Sequence, residues 1–153
     1  MKRIFLMACM IGILTAKASY GKPVLPKYQQ VIKAFIDSHL NGTYKSLKPI
    51  LDNEAYVHIP RGEGVILESK YDLLDQMRSV GVTTQKCDYN FEVLAESDAL
   101  VIARVDFLYG NGIQQNFLTL EKDENKDWKI MQVYEMFKDK PEQGPVENRT
   151  VSN

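Results

Sequence analysis

Residues 116–137, with the sequence NFLTLEKDENKDWKIMQVYEMF, decide the fold because two strand-like runs flank a charged segment. Apolar and polar residues alternate through NFLTL and again through WKIMQVYEMF, and such alternation is typical of strands that bury one face. The segment KDENKD at 122–127 is polar and turn-like. The stretch therefore predicts a β-hairpin whose buried face is covered by another part of the chain.

The same alternation begins at residue 83, so the second half of the chain predicts an antiparallel meander. Two earlier runs, TQKCDYNFEVLA and ALVIARVDFLY, are separated by the turn residues Ser97 and Asp98. The sequence Gly-Asn-Gly at 110–112 then turns the chain into the hairpin. Four long strands in this order form one twisted sheet.

The first half of the chain instead repeats its apolar residues with helical spacing. The positions on this face are Val31, Ile32, Phe35, Ile36, His39 and Leu40. They predict one helix that ends at Asn41 and Gly42, a typical stop signal.

A short second helix, capped by Thr43 and extending to Leu51, follows in the prediction, with an irregular turn near Pro49. AYVHIP is predicted to be a strand that ends at Pro60, and a third helix is predicted from its cap Ser69 to about Gly81. The order predicts an α+β fold in which N-terminal helices pack on a strongly curved antiparallel sheet. Because helices cannot fill the concave face of such a sheet, we expect a cleft.

Length and charge limit the classes of function. The chain has 153 residues and a net charge of -1, from 19 Lys and Arg against 20 Asp and Glu, which fits one domain. The balanced charge argues against a nucleic-acid partner. The residues show no tight spacing of metal ligands, and we predict neither a metal site nor a cofactor.

The first eighteen residues, MKRIFLMACMIGILTAKA, have the three parts of a signal peptide. Lys2 and Arg3 precede an apolar run at 4–14, and Ala-Lys-Ala at 16–18 resembles a cleavage site. We therefore predict export to the periplasm or medium, with no membrane attachment after the signal is removed. A lipoprotein site at Cys9 is the alternative. The predicted domains are the signal peptide 1–18, a linker 19–26, the folded domain 27–138 and a flexible tail 139–153.

Three stretches together resemble the nuclear-transport-factor-2-like superfamily. They are FIDSHLNGTYKSLKPIL, DNEAYVHIP and NFLTLEKDENKDWKI, and the resemblance covers about residues 27–137. This resemblance implies the cone-shaped fold of ketosteroid isomerase, scytalone dehydratase and polyketide cyclases. The last stretch also resembles exported bacterial proteins labelled as lumazine-binding. Homodimers are common in this superfamily, so the resemblance implies a homodimer as well.

The isomerase reaction, by this resemblance, needs a carboxylate base, a tyrosine and a protonated aspartate. The matching positions in this chain hold Ile59, Phe35 and Asn116. Two of these side chains are apolar, and the amide of Asn116 does not titrate. Isomerase chemistry of that kind is not expected.

Strand alternation selects the side chains that would face the helices and line a pocket. The predicted pocket residues are Phe35, Tyr89, Phe107, Tyr109, Asn116, Gln132 and Tyr134. This set is uncharged and suits a small apolar or aromatic ligand. His39, on the apolar face of the first helix, is the candidate acid-base residue. A favourable interaction with the carbonyls at the helix end is the alternative explanation for a histidine at this position.

These observations leave three hypotheses. The first is an exported, noncatalytic domain that binds a small molecule. The second is a cyclase, dehydratase or hydrolase-like enzyme that uses His39, and the third is a homodimeric protein-interaction module.

Overall fold

The computed structural model describes residues 25–139. The predicted signal peptide, most of the predicted linker and the tail beyond Asp139 lie outside the described residues. The elements in chain order are α1 (Lys27–Asn41), α2 (Tyr44–Leu47), β1 (Leu51–Arg61), β2 (Gly64–Ser69), α3 (Lys70–Val80), β3 (Asp88–Glu96), β4 (Leu100–Leu108), β5 (Gly112–Lys122) and β6 (Trp128–Asp139).

The six strands form one sheet in the order β2-β1-β6-β5-β4-β3. Every neighbouring pair is antiparallel except β1 and β6, which run parallel. The helices cover one face of this sheet, and the predicted α+β fold class is confirmed. No helix within residues 25–139 has the length and apolar character needed to cross a bilayer.

The core lies between α1 and the middle of the sheet. Ile32 and Ile36 of α1 are almost completely buried, as the helical spacing predicts. The side chains of the sheet that share this core are Val101, Ala103, Val105, Phe107, Leu118, Leu120 and Ile130. They alternate along β4 and β5, so the face predicted to be buried on these two strands is confirmed.

Two local predictions differ from the structure near residue 50. The second helix ends at Leu47, because Pro49 has no amide hydrogen with which to continue the helical hydrogen bonding. Leu51 instead begins β1, which is eleven residues long and not limited to AYVHIP. The predicted cap of the third helix is confirmed, since the Ser69 hydroxyl accepts a hydrogen bond from the Asp72 amide.

A β-bulge in β6 changes which side chains face the helices. Thr119 pairs with Gln132 but Leu120 pairs with Ile130, so Met131 is an extra residue in β6. Ile130 and Val133 are consequently both buried on the helix side. Beyond the bulge, odd-numbered residues face the helices and even-numbered residues face away.

This bulge corrects the predicted orientation of Gln132 and Tyr134. Both lie on the outer face of the sheet, opposite the helices. There Oε1 of Gln132 accepts a hydrogen bond of 2.6 Å from Nε2 of His58, and the Tyr134 ring stacks on His58 with centroids 4.4 Å apart. Simple alternation failed because it assumed an unbroken strand.

Gly42 fixes the end of α1 against the segment that follows α3. Its φ is +59°, a left-handed conformation, and a Cβ there would lie 2.5 Å from the Thr83 amide nitrogen. The nearby carbonyl of Leu40 accepts a hydrogen bond of 2.8 Å from the Gln85 amide. Any side chain at 42 must therefore push this segment away.

We predict that Gly42→Ala destabilises the protein by more than Gly62→Ala. Gly62 has a similar φ of +63°, and a Cβ added there would meet nothing within 4 Å, so it reports only the left-handed strain. That strain costs about 1–2 kcal/mol. Urea denaturation should show this loss for Gly62→Ala and a larger loss for Gly42→Ala. Equal losses would show that the contact with Thr83 does not constrain residue 42.

Candidate functional site

A cavity of about 340 Å³ lies between the concave face of the sheet, α1 and α3. Its volume is in the range of pockets that hold small organic molecules. The lining residues are Phe35, Ser38, His39, Gly42, Leu47, Val57, Glu68, Leu73, Gln76, Met77, Val80, Gly81, Thr83, Gln85, Gln114, Asn116, Val133 and Glu135. The predicted cleft is therefore present, and its walls differ in chemistry.

The wall formed by the helices is mainly apolar. α1 contributes Phe35, and α3 contributes Leu73, Met77 and Val80. The sheet wall carries both carboxyl groups, from Glu68 and Glu135, and the amides of Gln114 and Asn116. These two surfaces suit a ligand with an apolar side and a polar side.

Glu135 is the ionisable group that the bulge directs into the cavity. It pairs across the strands with Asn116, whose side chain also lines the cavity. Burial raises the pKa of the Glu135 carboxyl, and the negative charge of Glu68 raises it further. Glu135 is consequently easier to protonate than an exposed glutamate.

Glu68 reaches the same cavity from β2. It pairs with Val57 of β1, whose parallel partner on β6 is Val133, two residues before Glu135. Burial raises the pKa of Glu68 as well, followed by repulsion from Asp72. Two carboxyl groups therefore face one cavity.

The buried amide of Asn116 lies between these groups and the core. Only 1% of this residue is exposed. Its Nδ2 donates two long contacts of 3.5 Å, to the carbonyls of Val105 and Gln114, and 3.5 Å is weak for a hydrogen bond. The amide thus keeps hydrogen-bonding capacity for a molecule in the cavity.

His39 lines the cavity from the end of α1. Its ring stacks on Phe107 with centroids 3.7 Å apart, and its Nε2 lies 2.7 Å from the Tyr109 hydroxyl. Burial lowers the pKa of His39 to about 4, so the imidazole is neutral near pH 7. Burial, with the neighbouring Cys87, raises the pKa of Tyr109 to about 12. The pair is a neutral polar contact.

The predicted pocket residues thus separate into four groups. Phe35 and Asn116 line the cavity, while Phe107 and Tyr109 support His39 behind it. Tyr89 shares the helix-facing side of the sheet with its partner Phe107, but it lies on the edge strand β3 and is 46% exposed. Gln132 and Tyr134 form the fourth group, on the opposite face of the sheet.

Glu68 and Glu135 are the two ionisable residues that strand alternation did not place inside. The prediction of an uncharged inward set was therefore wrong. Glu68 follows Ile66 with strand spacing, which is a readable signal for a shared face. Glu135 has no such signal, because its direction depends on the bulge at Met131.

The two histidines do not come together as metal ligands. They lie on opposite faces of the sheet: His39 faces the cavity, whereas His58 contacts Tyr134. Within residues 25–139, no group of three or more His, Cys, Asp or Glu side chains is arranged to hold a metal ion.

Solved structures share this arrangement of helices and sheet. An NTF-2 like protein of unknown function from Silicibacter pomeroyi DSS-3 superposes with a TM-score of 0.62 at 11% identity, covering 73% of this chain and 93% of that one. The chain has the nuclear-transport-factor-2-like (NTF2-like) fold.

Other NTF2-like structures support this assignment. A Cytophaga hutchinsonii NTF2-like protein gives a TM-score of 0.58 at 14% identity, over 71% of this chain and 93% of that one. A ketosteroid isomerase-like protein from Erwinia carotovora atroseptica gives 0.54 at 13% identity, over 71% and 92%. No protein-family profile and no curated protein matches the chain. The similarity to lumazine-binding proteins stays a prediction.

We predict that Glu135→Gln stabilises this NTF2-like domain near neutral pH. The folded-state pKa of Glu135 is raised above its ordinary value of 4.5, so its favourable contribution is complete below that pH and is lost as pH rises through the raised pKa. Glutamine removes the cost of a buried carboxylate at neutral pH.

The measurement is the free energy of unfolding near pH 7 and at about pH 4. The gain for Glu135→Gln should be larger at the higher pH. Protonation of His39 affects the wild type and the variant alike, so it cancels in the difference. Glu121→Gln, at an exposed position on β5, is the control and should show no such gain. A loss of stability for Glu135→Gln near pH 7 would contradict the buried-carboxylate assignment.

Proposed function

We propose that this protein is an exported small-molecule-binding domain that holds its ligand in the cavity between α1, α3 and the sheet. The observation that carries the proposal is a cavity of about 340 Å³ with a mainly apolar wall from the helices and a sheet wall that holds two carboxyl groups. The ligand has an apolar or aromatic part, which packs on Phe35, Leu73 and Met77. Export rests on the signal-like sequence at 1–18.

Binding without catalysis is favoured by the state of His39. An imidazole with a pKa of about 4 is a poor general acid near pH 7, because almost none of it is in the protonated imidazolium form that donates a proton. Its stacking on Phe107 and its contact with Tyr109 account for its position in structural terms.

A second candidate function is acid-base catalysis, with Glu135 rather than His39 as the acting group. It is favoured by the raised pKa of Glu135, since a carboxyl that titrates nearer to neutral pH transfers protons more effectively. The Asn116 amide beside it would orient a substrate oxygen. Both candidate functions use the same cavity.

The experiment is native mass spectrometry of the protein purified from its own source, compared with spectra recorded under denaturing conditions. We predict a retained mass that is lost on denaturation, and a chain mass that lacks residues 1–18. Met77→Trp should abolish retention because the larger indole fills the cavity. Met136→Trp is the matched control, since Met136 lies on the outer face and is 40% exposed.

Circular dichroism would confirm that both variants are folded. Equal retention by Met77→Trp and the wild type would contradict the proposed cavity. Release of an unaltered compound after incubation supports binding alone, and release of a converted compound supports the catalytic candidate.

We also propose that two copies pair through the outer face of the sheet. Tyr56, Tyr134 and Met136 are each about 40% exposed there, and Leu67 on β2 is 58% exposed. Apolar side chains of this size, close together on one face, are suited to an interface with a second copy. The homodimers implied by the superfamily resemblance are consistent with this use of the face.

Sedimentation velocity over a range of concentrations tests the pairing. Tyr134→Arg should produce monomers, because a charge at the interface must be desolvated. Tyr71→Arg is the matched control, since Tyr71 is 62% exposed on α3, away from the outer face. A wild-type protein that stays monomeric at every concentration would contradict the proposal.

A further inference from the structure

The cavity contains two carboxyl groups but no lysine or arginine among its described lining residues. The ion pairs found within residues 25–139 join Arg78 to Asp75 and Arg104 to Glu92 and Asp106. None of them involves Glu68 or Glu135.

The buried amine of Lys70, at the start of α3, already has hydrogen-bond partners outside the cavity. Lys70 is 7% exposed and donates from Nζ to the Leu51 carbonyl at 2.8 Å and to Asn53 Oδ1 at 3.0 Å. These bonds fix it to the irregular part of β1. His39, the basic group that does line the cavity, is neutral near pH 7 and bonded to Tyr109. Arg61 lines a neighbouring pocket with Glu68, but within residues 25–139 no lysine or arginine forms an ion pair with either glutamate.

Burying a carboxylate without a partner is unfavourable, and two carboxylates that repel each other increase the cost. Glu135 lies directly across from Asn116, and Glu68 reaches the same wall from β2. The Asn116 side chain, 1% exposed, makes no hydrogen bond through Oδ1 within the described part of the chain, and its Nδ2 contacts are long. Asn116 therefore adds an amide with spare hydrogen-bonding capacity to the cavity that Glu68 and Glu135 line.

A ligand group with a positive charge and several N–H donors would pair with the carboxylate and amide oxygens of this wall. An alkylammonium has three donors and no acceptor, which matches carboxylate and amide oxygens. A hard metal ion would need six or more oxygen ligands, and no such cluster is present in residues 25–139. The opposite wall, with Phe35, Leu73 and Met77, requires an apolar body.

We propose that the cavity binds an amphipathic amine, with its ammonium group between Glu135, Glu68 and Asn116 and its apolar or aromatic part on α1 and α3. The proposal rests on the small-molecule-binding function proposed above and specifies the ligand class. The proposed ligand is an organic cation, whereas the sequence predicted an uncharged pocket for an apolar or aromatic ligand. The bound ammonium offsets the repulsion between the carboxylates of the two glutamates. Binding therefore stabilises the charged form of both side chains.

Three probes with the same phenyl body test the charge preference: phenethylamine, phenethyl alcohol and phenylacetate. Isothermal titration calorimetry near pH 7 should show that the amine binds at least about tenfold more tightly than the alcohol, because opposite charges attract strongly in a partly buried site. Phenylacetate should bind most weakly, since both glutamates repel it.

Measurements on variants test whether the preference for the amine arises in the cavity. Glu135→Gln should reduce the amine-to-alcohol ratio towards one, mainly by weakening amine binding, and Glu68→Gln should reduce the ratio less because Glu68 is less buried. Glu121→Gln, at an exposed site, should leave the ratio unchanged. Met77→Trp should weaken the amine and the alcohol alike, since it removes space rather than charge.

Three outcomes would overturn the inference. They are equal affinity for amine and alcohol in the wild type, a preference for the amine that survives in the Glu68→Gln, Glu135→Gln double variant, and no amine binding at millimolar concentration. If Met77→Trp still weakens binding while the charge preference is absent, only the ligand class is wrong. If the wild type and Met77→Trp bind all probes alike, the proposed binding cavity is wrong as well.

Discussion

The extra residue at Met131 determines the chemistry of both faces of the sheet. It shifts the pairing of β6 so that Ile130 and Val133 share the core side, although they are three residues apart. Glu135 then faces the cavity, and Tyr134 faces outward to stack on His58. Without the bulge, a tyrosine would line the cavity and a glutamate would lie on the outer face. One inserted residue therefore decides whether a second carboxyl group joins Glu68 in the cavity.

The cavity contains ionisable side chains whose burial lowers the stability of the fold. The middle of the sheet is filled by side chains such as Phe107, Leu118 and Ile32, and these supply the hydrophobic stabilisation of the fold. Beside this core, Glu135 and Glu68 approach each other without a lysine or arginine in the described cavity lining, and His39 is held neutral by the effect of burial on its pKa. Groups that lower stability in this way are concentrated at functional sites in proteins. The ionisable groups of the cavity thus do not contribute to the stability of the fold, which supports the proposed ligand site.

Most of the fold could be predicted from the sequence, because helical and strand periodicities are local. The hairpin at 116–137, the α1 stop at Gly42 and the Ser69 cap are encoded by neighbouring residues. The inward position of Asn116 was also predictable, since β5 alternates regularly through it. The remaining part of the site depends on pairing between distant segments. The bulge at Met131 is set by how β6 pairs with β5 and β1, so alternation assigned Gln132 and Tyr134 to the wrong face and missed Glu135.

The inward direction of Glu135 is tested most directly by a carbon-13 NMR titration of its carboxyl group. We predict a pKa above the ordinary value of 4.5, together with nuclear Overhauser contacts between the Tyr134 and His58 rings, whose centroids lie 4.4 Å apart. An ordinary pKa for Glu135, with no contact between the Tyr134 and His58 rings, would show that β6 has no bulge and that Glu135 does not line the cavity.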